Sequence, residues 1–153
     1  MSISDQLKSE EGTVPHAYQD HLGYWTIGCG RLIDQRKGGG LSQDEIDYLL
    51  RNDIKRCEGA VREALPWFGA LDEPRQAVLI GMAFQMGPKG LLKFHTTLKL
   101  IGTGQYEQAA VNMLKSLWAR QTPERARRMA DQIRTGEWQM KPGQTRARKI
   151  RRL

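Results

Sequence analysis

The sequence predicts an α+β fold: a small β region near the N-terminus followed by a larger helical region. Three observations carry this. A glycine-punctuated stretch from 13 to about 35 alternates as a strand does, a capping pattern at Ser42 opens an apolar repeat some six turns long, and the segments from about 74 to 138 repeat with helical spacing. At 153 residues the chain fits one domain or two small lobes, long enough to bury roughly 68–70% of its unfolded surface.

Residues 2 to about 11 read as a short helix. Ile3 and Leu7 share a face, Asp5 sits in the first turn and Gly12 stops it. Val14, Ala17 and Tyr18 lead into Asp20-His21-Leu22-Gly23, a turn tetrad ending in glycine. From Tyr24 to Ile33, alternation puts Tyr24, Thr26, Gly28, Gly30 and Leu32 on one face. Trp25, Ile27, Cys29 and Ile33 fall on the other, the expected packed face. Two glycines weaken a strand and need a reason, either a bulge or close approach of a ligand to backbone. Arg36-Lys37-Gly38-Gly39-Gly40 reads as a flexible connector.

Ser42 and Glu45 form a capping-box pattern. Ile46, Leu50, Ile54, Cys57, Val61 and Leu65 follow as the inward stripe of one long helix that ends before Pro66. A second helix runs from near Pro74 to Gly87, with Val78, Leu79, Met82 and Met86 inward. A third spans about Leu91 to Ile101. A fourth spans about Gln105 to Arg120, burying Ala110, Val111, Leu114 and Leu117. The fifth opens at Thr122-Pro123, an N-cap with a proline in the first helical position. It buries Ala126, Met129, Ala130 and Ile133 and stops at Gly136.

Composition narrows the function classes. Hydrophobic content of 39% and charged content of 27% are ordinary for a soluble globular protein. No apolar run approaches the roughly 20 residues that span a bilayer, and MSISDQLKSEEG lacks the basic-then-apolar order of a signal peptide. Synthesis in the cytoplasm is therefore expected. The net charge is +7, and six basic residues (Lys141, Arg146, Arg148, Lys149, Arg151 and Arg152) lie in an acid-free tail, 141–153, beyond a domain of residues 1–140. The tail has two readings: a solubilising end, or adhesion to anionic lipopolysaccharide or membrane. With the charge in one tail and no recognition motif, a specific nucleic-acid partner is not expected. Cys29 and Cys57 read as free thiols packed as small apolar groups, with a disulfide as the other reading. Neither they nor His16, His21 and His95 make a metal spacing, so no metal or cofactor is expected.

Glycoside hydrolysis needs a proton donor and a second carboxylate flanking the scissile bond. The donor must stay protonated near neutral pH. Glu11 lies at the C-terminal end of the first helix, where the macrodipole and neighbouring Glu10 disfavour another negative charge. Asp20 lies at the hairpin turn, where it stays solvated and ionised. Thr26 follows with a hydroxyl able to hold a water. Among seventeen acids, spacing alone nominates this pair without singling it out.

A resemblance does single it out. Leu7-Lys8, Glu11-Gly12, Tyr18-Gln19-Asp20 and Gly23-Tyr24-Trp25-Thr26-Ile27-Gly28-Cys29-Gly30 resemble the signature of T-even-type phage lysozymes, glycoside hydrolase family 24. The likeness continues in order through Phe84-Gln85-Met86-Gly87, Ala109-Ala110-Val111-Asn112, Lys115-Ser116 with Trp118, Gln121-Thr122-Pro123, and Arg134-Thr135-Gly136 with Trp138. It implies a lysozyme-like fold, with a β lobe of about 13–35, a helical lobe of about 1–12 and 42–140, a long helix joining them and the active-site cleft between. It also implies an endolysin, an inverting muramidase that cleaves the β-1,4 bond between N-acetylmuramic acid and N-acetylglucosamine in peptidoglycan and lyses the host cell. Glu11 would be the general acid, Asp20 would assist the water or the developing oxocarbenium charge, and Thr26 would position the water. Leu32, Phe84, Thr97 and Asn112 would contact saccharide, Thr97 standing where the family has serine. The protein would act as a monomer, made in the host cytoplasm and reaching the wall after holin-dependent release.

Three departures stand out. Arg31 replaces a common histidine, and a pair between Arg31 and Asp53 is expected. The β lobe lacks an insert some members carry before the long helix, and the basic tail goes beyond the family pattern. Trp25, Trp67, Trp118 and Trp138 read as packing side chains, with sugar stacking the alternative. Arg125, Arg127 and Arg128 read as a solvated helix face, and Arg125 has a second reading, pairing with an acid near Glu11 or with the peptide stem. Two rival functions stand beside the muramidase: a lytic transglycosylase, which needs one catalytic acid, and a cationic antibacterial protein acting through its tail without catalysis.

Overall fold

The computed structural model describes residues 2–142. Helix α1 (Ile3–Glu11) precedes strands β1 (Val14–Gln19), β2 (Trp25–Gly28) and β3 (Arg31–Leu32). The long helix α2 (Gln43–Ala64) follows, then α3 (Glu73–Met86), α4 (Pro88–Leu92), α5 (His95–Gly102), α6 (Tyr106–Met113), α7 (Leu117–Gln121) and α8 (Pro123–Thr135). The fold is α+β, mostly helical with one antiparallel sheet in the order β1-β2-β3. Two compact units divide inside α2, Met1–Arg51 and Asn52–Leu153. Of the basic tail, 141–153, on which both readings rest, residues 143–153 lie outside the described residues.

The first unit is stitched by polar groups. Ser2 and Asp5 cap α1 reciprocally: the Ser2 hydroxyl accepts from the Asp5 amide at 3.2 Å, and Asp5 accepts from the Ser2 amide at 2.8 Å. β1 pairs with β2 through Tyr18↔Thr26 and Gln19↔Trp25. The register shifts before Val14↔Gly28, across a stretch holding Pro15, which has no amide hydrogen to give.

The packed face of the sheet differs from expectation. Trp25, Cys29 and Ile33 are exposed, whereas Thr26 on the opposite face is buried. Directly opposed residues share a face, so Tyr18 and Leu32 flank Thr26 across the strands. On that side Arg36 and Lys37 stand over the Tyr24 ring, 5.1 and 4.6 Å from its centre. The other side, with Ile27 and Ile33, borders an open groove of about 690 Å³ against Leu41, Tyr48 and Leu49. Both cysteines are free thiols, and Cys29 is exposed rather than packed.

The segment expected to be a flexible connector begins as a 3-10 turn, Gln35–Lys37. Asp34 builds it, accepting from the Arg36 amide at 2.9 Å and from the Arg36 guanidinium at 3.0 and 2.6 Å. The guanidinium bonds, helped by the Arg36 and Trp25 amides, hold the Asp34 carboxyl down to about 2 against the opposing effect of burial.

The capping box on α2 forms as expected: the Ser42 hydroxyl accepts from the Glu45 amide at 3.3 Å, and Glu45 accepts from the Ser42 amide at 3.0 Å. Its inward stripe is shorter than expected. Val61 and Leu65 are buried and Cys57 is half-buried, but Ile46, Leu50 and Ile54 are exposed. The side chains buried in the described part of the first unit are polar, Thr26 and Asp34, and the opening turns of α2 meet Ile27 and Ile33 only across an open groove. The apolar core meets the helix from Cys57 onward.

That core belongs to the second unit, centred on Phe68, Leu79, Met82, Leu91, Met113 and Ile133. α3 ends at Gly87, whose φ is +80°. The expected third helix is two: the Lys93 and Phe94 amides donate three residues back, to Gly90 and Leu91, and close α4 before α5 begins. The expected fourth helix also splits. The Ser116 hydroxyl donates to Met113 O at 2.8 Å and accepts from the Ala119 amide at 3.1 Å, ending one helix and capping the next. Val111, Leu114 and Leu117 are consequently exposed, and Ala109, Met113, Trp118 and Ala119 are buried with Ala110. α8 starts at Pro123 and stops at Gly136 in the left-handed conformation, φ +72°. The Thr122 hydroxyl donates to Trp118 O at 3.0 Å rather than capping α8.

Arg75 ties α3 to the end of α8. Its guanidinium donates to Ile133 O at 2.7 Å and Arg134 O at 3.2 Å, pairs with Asp72 at 3.0 Å, and lies 3.7 Å from the centre of the Tyr106 ring. It satisfies carbonyls that the last helical turn leaves open.

Two measurements follow from these contacts. Urea melts of the Arg75→Ala variant should show a loss of about 3 kcal/mol, from charge-assisted hydrogen bonds and ring stacking together, with Arg75→Lys recovering only part. Asp34 binds its proton less readily in the folded chain than at the ordinary ~3.9 of an unfolded aspartate, so its contribution is complete above that pH and fades as pH falls toward about 2. Stability of Asp34→Asn, followed by circular dichroism across this window, should lack that part of the acid-induced loss.

Candidate active site

Glu11 closes α1, and the local sequence explains why. Gly12, at φ +74°, ends the helix with its amide on Lys8 O at 3.0 Å, leaving Glu11 as the last helical residue. The side chain is exposed, and its carboxyl lies against Gly30 in the turn between β2 and β3. A Cβ on Gly30 would stand 3.0 Å from Glu11 Oε2. The reason sought for Gly30 is thus a close approach, made by a side chain of the same unit.

Asp20 opens the β1–β2 turn and is half-buried. Its Oδ1 accepts from the Leu22 amide at 2.9 Å and the Tyr24 amide at 2.8 Å, while its own amide and carbonyl close the turn with Tyr24 O and the Gly23 amide, each at 2.9 Å. Among the described residues Oδ2 accepts no hydrogen bond, so one oxygen holds the turn and the other is free to accept. Thr26 sits mid-strand, 3% exposed. Its hydroxyl donates to Tyr24 O at 3.1 Å, so toward any further partner it is an acceptor. Leu32 lies directly opposite it on β3, half-buried.

Arg31 pairs with Glu45, and Asp53 with Arg56, in place of the expected Arg31–Asp53 pair. Glu45 is already fixed at the helix start by Ser42. Asp53, eight residues on, lies about 12 Å further along the axis. Hydrogen bonds from Ser42 first, and then from Arg31, hold the Glu45 carboxyl below its ordinary range.

The second unit carries the remaining expected contacts. The Thr97 hydroxyl, buried on α5, donates to Asn112 Oδ1 on α6 at 2.8 Å. The pair lines an open groove of about 610 Å³ with Phe94, Trp118, Lys93 and Lys115. Trp118 is braced by Gln85, which accepts from Nε1 at 3.0 Å, and by Phe94, edge-on at 6.1 Å. Phe84 lies on α3, exposed, and is not among the residues lining this groove. Trp67 and Trp118 pack against or within the core, whereas Trp25 and Trp138 are exposed. Arg125 is half-buried and donates to Gly81 O at 3.4 Å, and Arg127 pairs with Glu124, so only part of that helix face is solvated.

Sequence reasoning passed over Lys93 and Lys115 as groove residues, and Gln85 as the brace of Trp118. Their helical spacing carried no signal, because the breaks at Lys93–Phe94 and Leu114–Ser116 reset the helical phase. It also passed over Arg36 and Lys37 on Tyr24. There the signal was present: an aspartate directly before a turn is a capping residue.

Comparison with known proteins identifies the family. The chain matches the phage lysozyme family over residues 8–143. It is 32% identical to a probable T4-type lysozyme 1 of Dictyostelium discoideum, over 88% of this chain and 95% of that protein. It is 30% identical to the pre-baseplate central spike protein Gp5 of Enterobacteria phage T4, over 89% of this chain and 28% of that longer protein. It is 25% identical to an endolysin of Acyrthosiphon pisum secondary endosymbiont phage 1, over 75% and 80%. The chain therefore belongs to the phage lysozyme family, glycoside hydrolases with a lysozyme-type, peptidoglycan-hydrolysing function.

Proposed function

We propose that the chain is an inverting muramidase that hydrolyses the β-1,4 bond between N-acetylmuramic acid and N-acetylglucosamine, and that it serves as an endolysin, made in the host cytoplasm and lysing the cell once released to the wall. The observation that carries this reading is the set of groups held on the first unit: a helix-terminal carboxyl seated against the β2–β3 turn, Asp20 with one uncommitted oxygen, and Thr26 in the strand between them.

In this mechanism the Glu11 carboxylic acid donates its proton to the glycosidic oxygen as the bond from the anomeric carbon breaks. Positive charge spreads over the anomeric carbon and ring oxygen, and the Asp20 carboxylate stabilises it. Water attacks from the opposite face, donating one hydrogen to Thr26 Oγ1, whose own hydrogen is on Tyr24 O, and losing a proton toward Asp20 Oδ2. The product is a reducing muramic end of inverted configuration, with Glu11 ionised and ready to be reprotonated. Leu32 and Phe84 would offer apolar contact to saccharide. Asn112, its Oδ1 engaged by Thr97, would offer its amide hydrogens. The substrate partner is peptidoglycan, and no cofactor takes part.

Turbidity clearing of permeabilised Gram-negative cells tests the assignment. Glu11→Gln should lose at least about a thousandfold while keeping its melting temperature, since the substitution removes only the transferable proton. A 1,6-anhydro end in the muropeptides, read by mass analysis, would instead make the enzyme a lytic transglycosylase. The two tasks of Asp20 separate by substitution. Asp20→Asn keeps an Oδ1 for the Leu22 and Tyr24 amides and should lose activity with little change in stability. Asp20→Ala should lose activity and also about 1–2 kcal/mol in denaturant melts, because two turn amides lose their acceptor.

A further inference from the structure

Among the described residues of the first unit no hydrogen bond holds the Glu11 carboxyl. It lies against Gly30, where a Cβ would stand 3.0 Å from Oε2, 3.3 Å from Cδ and 3.4 Å from Cγ. Three side-chain atoms stand tighter than ordinary contact, so a Cβ at position 30 would displace the Glu11 carboxyl by a few tenths of an ångström. The geometry points to Gly30 as a positioning residue: its missing side chain forms the notch that sets where the Glu11 carboxyl presents its proton. This rests on the reading of Glu11 as general acid.

Gly28 supplies an internal control. Gly28 and Gly30 both have a positive φ, +70° and +68°, so a methyl group at either meets the left-handed region that disfavours side chains. A Cβ on Gly28 would meet nothing within 4 Å. Gly28→Ala therefore gauges a methyl group at positive φ with no neighbour, and Gly30→Ala adds crowding of the acid. A shift of about 1 Å at a reacting group costs on the order of a hundredfold in rate, so one of a few tenths of an ångström costs severalfold, with remote binding contacts intact.

The test measures kcat and KM for release of reducing ends from purified peptidoglycan. Gly30→Ala should lower kcat by about 5- to 10-fold with KM within about threefold, while Gly28→Ala keeps kcat within about threefold. In a Glu11→Asp background the tightest contact, the one from Oε2, is lost, and adding Gly30→Ala should cost less than about threefold more. Equal kcat losses in the two glycine variants, or an undiminished effect of Gly30→Ala in the Glu11→Asp background, overturns the proposal. If Gly30→Ala does not fold, Glu11→Ala/Gly30→Ala decides. A folded double variant supports the notch, and an unfolded one beside a folded Gly28→Ala overturns it. Activity retained by Glu11→Gln defeats the general-acid reading instead, and does so without touching either glycine.

Discussion

Backbone amides bonded by carboxylates at successive chain reversals are what the first unit depends on. Asp5 holds the start of α1, Asp20 the β1–β2 turn, Asp34 the turn after β3 and Glu45 the start of α2. Each accepts a main-chain N–H that the local geometry leaves without an intra-element partner. The two side chains buried in the described part of this unit, Thr26 and Asp34, are themselves polar and satisfied. A small sheet with so little apolar burial gains its cohesion from directional bonds, each modest in net free energy but expensive to leave unmade. The second unit works the other way, with an apolar core drawn from several short helices and polar ties such as Arg75 at its edges.

The proposed chemistry grows out of that polar framework. Asp20 is at once a structural acceptor and, through its other oxygen, a reactive one. Thr26 gives its hydrogen to the Tyr24 carbonyl and keeps its lone pairs. Neither group needs an additional support to be oriented, because the turn that places it also fixes it. Glu11 differs: it ends its helix at Gly12 and lies against Gly30, with no hydrogen bond to its carboxyl among the described residues.

The sequence revealed the fold class and most element boundaries wherever a local rule applied. Ser42 with Glu45, Gly12, Pro123 and Gly136 each announced a helix end through chemistry confined to a few neighbouring residues. What it did not reveal were properties set by distant neighbours. Alternation could define two faces of β2 but not which one is covered, since Arg36 and Lys37 reach Tyr24 from a turn that looked featureless. The stripe on α2 promised burial that only a closely packed apolar layer can deliver, and in the described part of the first unit no apolar side chain is buried. The splits after Leu92 and Met113 rest on tight amide bonds and on Ser116, weak signals inside runs that otherwise keep a helical period. In the site, Glu11 and Asp20 were anonymous among seventeen acids by spacing, and the ordered motif separated them from the rest. The Arg31 pair was misassigned because a capping residue, Glu45, already stood nearer.

The hydroxyl of Ser116 has a geometric consequence for the groove of the second unit. In one uninterrupted helix, residues 112 and 118 would point about 120° apart around the axis, and no single concavity would hold both. By ending α6 and starting α7 on a new heading, Ser116 allows an amide and an indole from one short stretch of chain to look into the same hollow. The contour of that wall is thus governed by a residue whose own oxygen spends its bonds on the main chain.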